Sequence, residues 1–405
     1  MMKKFFNRYA SVALSVAAAV SFSACSSDDG PDRGGVDDPP RELAKVRTHK
    51  QFAADFLGEV MNKADRNENV VVSPFCLSHA FYMLANGAEG NTLNEILGTL
   101  LGTDITLDDA NPMLSRHLQS LKDTQFTKIN FVNSLWVDSS FPVYESFTDS
   151  VGYYYSAEIK KVDDITTDAA REEINRWVES STGGTIKSLL DKNISGKGAA
   201  LVNALQLEGK WIIPFEREFT KDGVFTTSTG DKVTSRMMNN ILEAPYAKGD
   251  GFSIVTLPLW DYLCVEIVLP DEGETPLSIL SRYGSSKHTS EVYDVILSMP
   301  KFTVEYDCGS LVKELKSLGI VDAFDMSRSN FSKLSPQPFA VSEIVQKSRI
   351  SVDEDGVTAF SGSSVSGATD SGIDKHVEFT VDRPFLFFIR RNGGFCLFAG
   401  VVNTL

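Results

Sequence analysis

The 405-residue chain is poor in the residues that usually announce chemistry, with five cysteines and five histidines. The cysteines, Cys25, Cys76, Cys264, Cys308 and Cys396, are scattered, with no Cys-x-x-Cys pair and no histidine at metal-ligand spacing. No metal and no cofactor is expected. The four cysteines after Cys25 read as buried free thiols, with a disulfide left open. His49, His79, His117, His288 and His376 stand in no His-Glu-x-x-His pattern and beside no Gly-x-Ser-x-Gly elbow. We place them on the surface or on polar helix faces, except His79, whose helix has an apolar face and which reads as a packing or hydrogen-bonding residue. A linear catalytic motif is excluded, whereas a triad assembled from distant residues is not.

Positive charge is also scarce. Thirty-nine Lys and Arg face 54 Asp and Glu, for a net charge of −15 and a pI near 4.9. Phosphate binding needs a basic surface, so nucleic acid is excluded as a partner. Long apolar runs are missing too. The N-terminus carries Lys3, Lys4 and Arg8, then Val12 to Val20, then Phe22-Ser23-Ala24-Cys25. That run is too short for a membrane span and reads as an export signal over residues 1–24. Its Ser-Ala-Cys ending resembles a bacterial lipobox, which would make Cys25 the acylated first residue of the mature chain and the membrane anchor. Ordinary signal cleavage near the same place is the alternative. Residues 25–42 are an acidic, Gly- and Pro-rich tether with no means of forming a core. The expected location is the cell envelope, at the outer membrane or surface of a Gram-negative bacterium, or outside the cell if no lipid is attached.

What remains, residues 43–405, has the patterning of one large folded body. Leu43 to Lys63 has apolar residues at helical spacing. Ser73-Pro74 opens a second helix, with Leu77, Ala80, Phe81 and Leu84 on one face and Asn86-Gly87 as its stop. Lys128 to Asp138 reads as a strand, and a helix ends near Tyr155. Another is capped from Thr166 and stops at Gly183-Gly184. Ala200 to Leu207 is almost continuously apolar, as in a strand covered on both faces. Further strands are expected at 254–257, 263–269, 296–304 and 341–353, with a helix from Leu311 to Leu318 stopped by Gly319. The chain closes with strands around Arg391-Asn392-Gly393-Gly394.

One stretch stands apart. From Val357 to Asp374 the chain is Gly-, Ser- and Ala-rich, with strand-like residues on both sides. It buries too little apolar area to hold itself in a core, so it is expected as an exposed loop tethered at both ends. At period two, one set is Val357, Ala359, Ser361, Ser363 and Val365, and the other is also uncharged; the segment could become a buried strand.

Glu354-Asp355-Gly356-Val357-Thr358-Ala359, before this loop, resembles the hinge of a serpin, and Phe379-Thr380-Val381-Asp382-Arg383-Pro384-Phe385 resembles that family's closing motif. Asn69 to Ala88, Gly209-Lys210-Trp211, Ala323-Phe324 and Asn330-Phe331-Ser332 follow the family in order. The resemblance implies an α+β serpin fold, with three β-sheets, about eight to nine helices and an exposed reactive-centre loop over about 356–378. It implies an irreversible suicide-substrate inhibitor of serine proteases rather than an enzyme, monomeric, with a cysteine protease as an alternative target. The protease would cut the loop and become trapped as its acyl-enzyme when the freed loop inserts between Ala200–Leu207 and Val341–Asp353. Glu354, Gly356, Val357 and Ala359 would form the hinge, Trp211 would stand at the mouth of the sheet, and Ser73 and Asn203 would sit lower, at the shutter. Cys76 and Gln346 depart from the family there, where a Ser and a His are common. Family spacing from Gly356 puts the attacked bond between Asp370 and Ser371, with Thr369 and Ala368 as alternatives. An Asp there suits an Asp- or Glu-preferring protease; the small neighbours suit an elastase-like or subtilisin-like one.

Overall fold

The computed structural model describes residues 48–102, 105–122, 124–184, 187–194, 199–286, 289–358, 375–391 and 395–405. Helix α1 (His49–Lys63) starts at Thr48, whose side chain accepts from the Gln51 N–H, and buries Phe52, Phe56, Leu57 and Val60. After β1 (Val70–Val72), α2 (Pro74–Ala85) has Ser73 as N-cap and Pro74 in its first turn, and all of its residues are buried. Helices α3 (Gly90–Leu100), α4 (Leu107–Lys122) and α5 (Glu145–Tyr155) follow. Pro112 lies inside α4. Strand β2 (Lys128–Asp138) precedes α5; β3 (Glu158–Val162), α6 (Asp168–Ser181) and β4 (Ala199–Lys210) come after it.

The second half is mostly strand: β5 (Lys221–Thr226), β6 (Lys232–Lys248), β7 (Phe252–Pro258), β8 (Leu263–Pro270), helix α7 (Pro276–Ser285), β9 (Glu291–Pro300) and β10 (Phe302–Ser310). Helix α8 (Val312–Leu318) ends on Gly319 at φ 113°, a left-handed stop that glycine adopts freely. Then come β11 (Glu343–Val352), β12 (Gly356–Thr358), β13 (His376–Thr380), β14 (Phe385–Arg391) and β15 (Cys396–Val402). The single strand expected over 296–304 is two strands broken at Lys301. That residue's N–H donates to Arg236 O and its ammonium reaches Glu354, so it leaves the ladder.

Six strands form the central sheet, in the order β10-β11-β12-β4-β2-β3. The other nine form a sheet ordered β1-β15-β14-β8-β7-β6-β9-β13, with β5 beside β6. This larger sheet has two parts that share only the long β6, which pairs with β5 and β9 along most of its length and with β7 at its end. With the central sheet these make the three strand groups expected, and the described residues contain eight α-helices. The main core packs one face of the central sheet, including Leu201, Leu205, Leu207, Ile344, Ile350, Val352 and Val357, against the larger sheet and α2. A smaller cluster lies on the opposite face, where Ile174 and Val178 of α6 cover Trp136, Ala200 and Val202.

His49 and His117 do not lie on polar helix faces. Both rings pack on Phe395, at centroid distances of 3.6 and 4.7 Å. His79 is buried, with Nδ1 2.9 Å from Phe75 O. No helix of the described residues is long and apolar enough to cross a membrane.

Candidate functional site at the hinge of the loop

Strands β4 and β11 run parallel but pair directly at only two positions, Glu343 with Ala200 and Ile344 with Leu201. At the other end β12 lies between them, antiparallel to both. Val357 faces Val352 and Gly209, Thr358 faces Ser351, and Gly356 faces Lys210. Between these ends the facing edges, residues 345–350 and 202–208, do not pair with each other. The result is a slot, clasped at one end by two residues and plugged at the other by the hinge. Edge N–H and C=O groups are strong hydrogen-bonding groups and a template for another strand.

The plug is held by a tight turn. Asp353 Oδ1 accepts the N–H groups of Asp355 (2.9 Å) and Gly356 (3.3 Å), and Asp353 N–H donates to Gly356 O. The Trp211 indole N–H donates to Asp353 O at 2.9 Å, and its backbone N–H to Asp355 O. Three acidic residues in a row would repel one another, and cations answer two of them. Asp355 pairs with Arg217. Glu354, 2% exposed, takes the Lys301 ammonium at 2.8 and 3.0 Å and the Thr220 hydroxyl at 2.8 Å. Burial works against its charge, but the hydrogen bonds from Lys301 and Thr220 prevail and hold the carboxyl below its ordinary range.

Gly356 sits at φ 155°, and a Cβ there would strike the Gly209 carbonyl oxygen and Lys210 Cα. Only glycine lets β12 approach β4 this closely. Val357, one residue on, is fully buried.

Further along the slot the lining turns polar. Asn203 donates to Asn133 Oδ1 on β2. The Gln346 amide accepts from Ser73 N–H at 2.7 Å and donates to Ser73 O at 2.9 Å, while the Ser73 hydroxyl donates to Leu397 O. Gln346 thus satisfies both backbone groups of Ser73, the α2 N-cap, with the two ends of its amide, which answers the departure from the family's common His. Beside it, burial pushes the Cys76 thiol up to about 12, so it is inert; Cys264, Cys308 and Cys396 are likewise buried and free.

Glu354, Gly356, Val357 and Trp211 therefore meet at one end of the slot, and Ser73, Asn203 and Gln346 lie deeper along it. Ala359, Ala368, Thr369, Asp370, Ser371 and Cys25 fall outside the described residues. Sequence reasoning missed Lys301, Thr220 and Arg217. The Asp353-Glu354-Asp355 run signals a need for cations, but no local pattern points to partners so far upstream. No group of three His, Cys, Asp or Glu among the described residues could hold a metal.

A body of this topology, with a loop hinge seated between parallel central strands, has the serpin architecture. The family model described as Serpin (serine protease inhibitor) matches residues 47–405, and the chain belongs to that family. Its members are mostly protease inhibitors and not enzymes. The chain is 32% identical to the leukocyte elastase inhibitor of Xenopus tropicalis, over 86% of this chain and 96% of that one. It is 29% identical to Serpin B12 of Mus musculus, over 85% and 95%. Among solved structures, the thermophilic serpin tengpin in its native state superposes with a TM-score of 0.77 at 28% identity, covering 88% of this chain and 94% of that one. Thyroxine-binding globulin in complex with thyroxine shares the fold at 22% identity and TM-score 0.74, covering 88% and 98%.

Proposed function

We propose that the protein is a suicide-substrate inhibitor of serine proteases, and that the slot between β4 and β11 is the destination of its cut loop. A protease would attack the bond after Asp370, or after Thr369 or Ala368, forming an acyl-enzyme with the loop. Once cut, the segment after Thr358 is free to continue β12. The observation that carries this reading is the register of β12, which is in step with both neighbours. Each further residue moves one place along both strands. Ala359 would lie between Ile350 and Leu207, Ser363 between Gln346 and Asn203, and Val365 between Ile344 and Leu201, replacing the two-residue clasp. Alternation from the buried Val357 turns Ala359, Ser361, Ser363 and Val365 to the core face. There small and apolar residues meet apolar neighbours, and Ser363 meets the polar pair.

Incubating the protein with serine proteases of elastase-like, subtilisin-like and Asp- or Glu-preferring specificity, with a cysteine protease beside them, tests this. A complex stable to detergent and heat is expected with at least one enzyme, and simple cleavage by all of them would refute inhibition. Mass measurement of the released C-terminal fragment locates the bond.

A second reading is favoured by a cavity of about 630 Å³ whose lining includes Met61, Arg66, Leu277, Arg383, Pro384 and Val401. A non-inhibitory member could carry a ligand there, as the thyroxine-binding relative binds thyroxine. Loop cleavage that traps no enzyme, joined to small-molecule binding abolished by Leu277→Arg, would favour it. We further place the protein on the cell envelope through lipid at Cys25. Radiolabelled fatty acid should enter the chain and be lost in Cys25→Ala.

A further inference from the structure

Three of the five histidines converge on one phenylalanine, although they come from three different helices. Phe395 is 4% exposed, and its ring lies 3.6 Å from His49 of α1, 5.2 Å from His79 of α2 and 4.7 Å from His117 of α4, centroid to centroid. Phe75 and Phe131 close the nest, at 4.0 and 5.5 Å from the His79 ring. His79 Nδ1 and His117 Nδ1 each sit 2.9 Å from a carbonyl of their own helix, Phe75 O and Met113 O. His79 Nε2 is buried with no partner. A proton added there would find no protein acceptor.

The surrounding charges make protonation worse. Arg390 of β14 faces His49, and Arg116 of α4 and Arg391 of β14 face His117, while His49 also faces His117 and His79, and His79 faces His117. Lys50 follows His49 on α1 and donates to Ser286 O. The nearby carboxylate, Glu266 on β8, is already engaged by Arg390 at 2.9 Å and by the Tyr283 hydroxyl from α7. From α2, Tyr82 presents its ring edge to His79 at 5.7 Å, and β15 contributes the buried thiol of Cys396.

We propose that this nest is an acid-release latch, fastening helix α1 to helices α2 and α4 and to the β14–β15 hairpin while its histidines are neutral, and letting go when they take up protons. Burial, and then His117, His79 and Arg390, hold His49 down at about 3; burial, with His117 and against the Phe75 hydrogen bond, holds His79 down at about 3; and burial lowers His117 as well. The unfolded chain binds these protons near the ordinary value of about 6.5. The nest's stabilisation is therefore complete above about pH 6.5 and drains away as pH falls from there toward 3. Part of that window lies above the range in which lowered carboxylates such as Glu354 lose their contribution, so the two effects separate. The latch is independent of whether the loop traps a protease.

The test is the urea midpoint of the full chain between pH 7.5 and 4.8. On unfolding near pH 4.8 the unmutated protein should take up as many as about two more protons than His49→Gln/His117→Gln, which keeps only His79, so the double variant should show a distinctly shallower fall. Proton NMR of the native unmutated protein, with each ring assigned from its single Gln variant, removes any dependence on how the variants fold. The three C2–H signals should stay at neutral-ring positions at pH 5, and amide exchange in residues 49–63 should accelerate on further acidification. Rings that titrate near 6.5 in the native protein, or pH slopes equal in parent and double variant, would overturn the latch.

Discussion

Strand β14 and strand β11 both lie inside sheets, yet they meet their neighbours differently. β14 pairs along most of its length with β8 on one side and β15 on the other, and Phe385 to Ile389 are all buried. β11 pairs with β10 from Val345 to Val352, with one irregularity at Gln346, but on its β4 side only two residues are clasped and two more are engaged by the hinge. Composition follows the same divide. The core face of β11 reads Ile344, Gln346, Ser348, Ile350, Val352, apolar at its ends and polar in the middle. An apolar seam between strands is costly to open, because parting it exposes both faces. A polar seam whose groups are bonded to third parties, as Gln346 is to Ser73, parts at lower cost. The two regions show how one molecule can be rigid around a slot that remains available.

The sharpest way to break this contrast is to make the slot refuse a strand. Val357→Arg sets a charge where Val357 is fully buried, a burial costing several kcal/mol (~3–5) without a partner. Covalent trapping should vanish while the bond cut by the protease stays the same; retained complex on a denaturing gel would contradict the slot. Glu354→Gln comes next. It leaves the partly exposed Lys301 ammonium without its buried carboxylate, at about 2–3 kcal/mol. Because Glu354 is held below its ordinary range, its contribution is present above that range and lost as pH falls through it. The variant's thermal midpoint should accordingly differ from the parent's at pH 7, and the difference should shrink as pH falls below the ordinary carboxylate range.

Gly356→Ala should unseat β12, at about 1–3 kcal/mol of strain, and shift the fluorescence of Trp211, which is bonded to the turn. Unchanged emission with unchanged stability would mean that the plug is not held as described. Gln346→Leu is the mildest, about 1–2 kcal/mol, because it strips two hydrogen bonds from the backbone of Ser73. The same change makes the seam more apolar, so loop insertion should slow in stopped-flow measurements.

Local chemistry made much of this visible in the chain. Ser73-Pro74 opens α2 because its hydroxyl and ring suit a helix start, Lys128 to Asp138 is β2 to the residue, and Gly319 stops α8. The family likeness supplied the arrangement of the whole, which periodicity alone could not. What stayed hidden is long-range. Helix α4 is masked in the sequence by Pro112 and an Asp-rich start, and β9 and β10 read as one apolar-rich run although Pro300 marks the end of β9, with the distant partners of Lys301 completing the break. The Glu354–Lys301 pair and the nest around Phe395 join residues far apart in the chain, and no spacing rule reaches across such distances. At the hinge, Gly356 was legible as a family position, but its reason, the Gly209 carbonyl lying where a Cβ would be, exists only in three dimensions.

The most direct test is the thermal midpoint of the protein before and after a single cut within residues 359–374. If the cut segment fills the slot, it gains ladder hydrogen bonds on both edges, and the midpoint should rise by at least roughly 10 °C. A midpoint that stays where it was, or falls, would mean that β4 and β11 do not admit the loop.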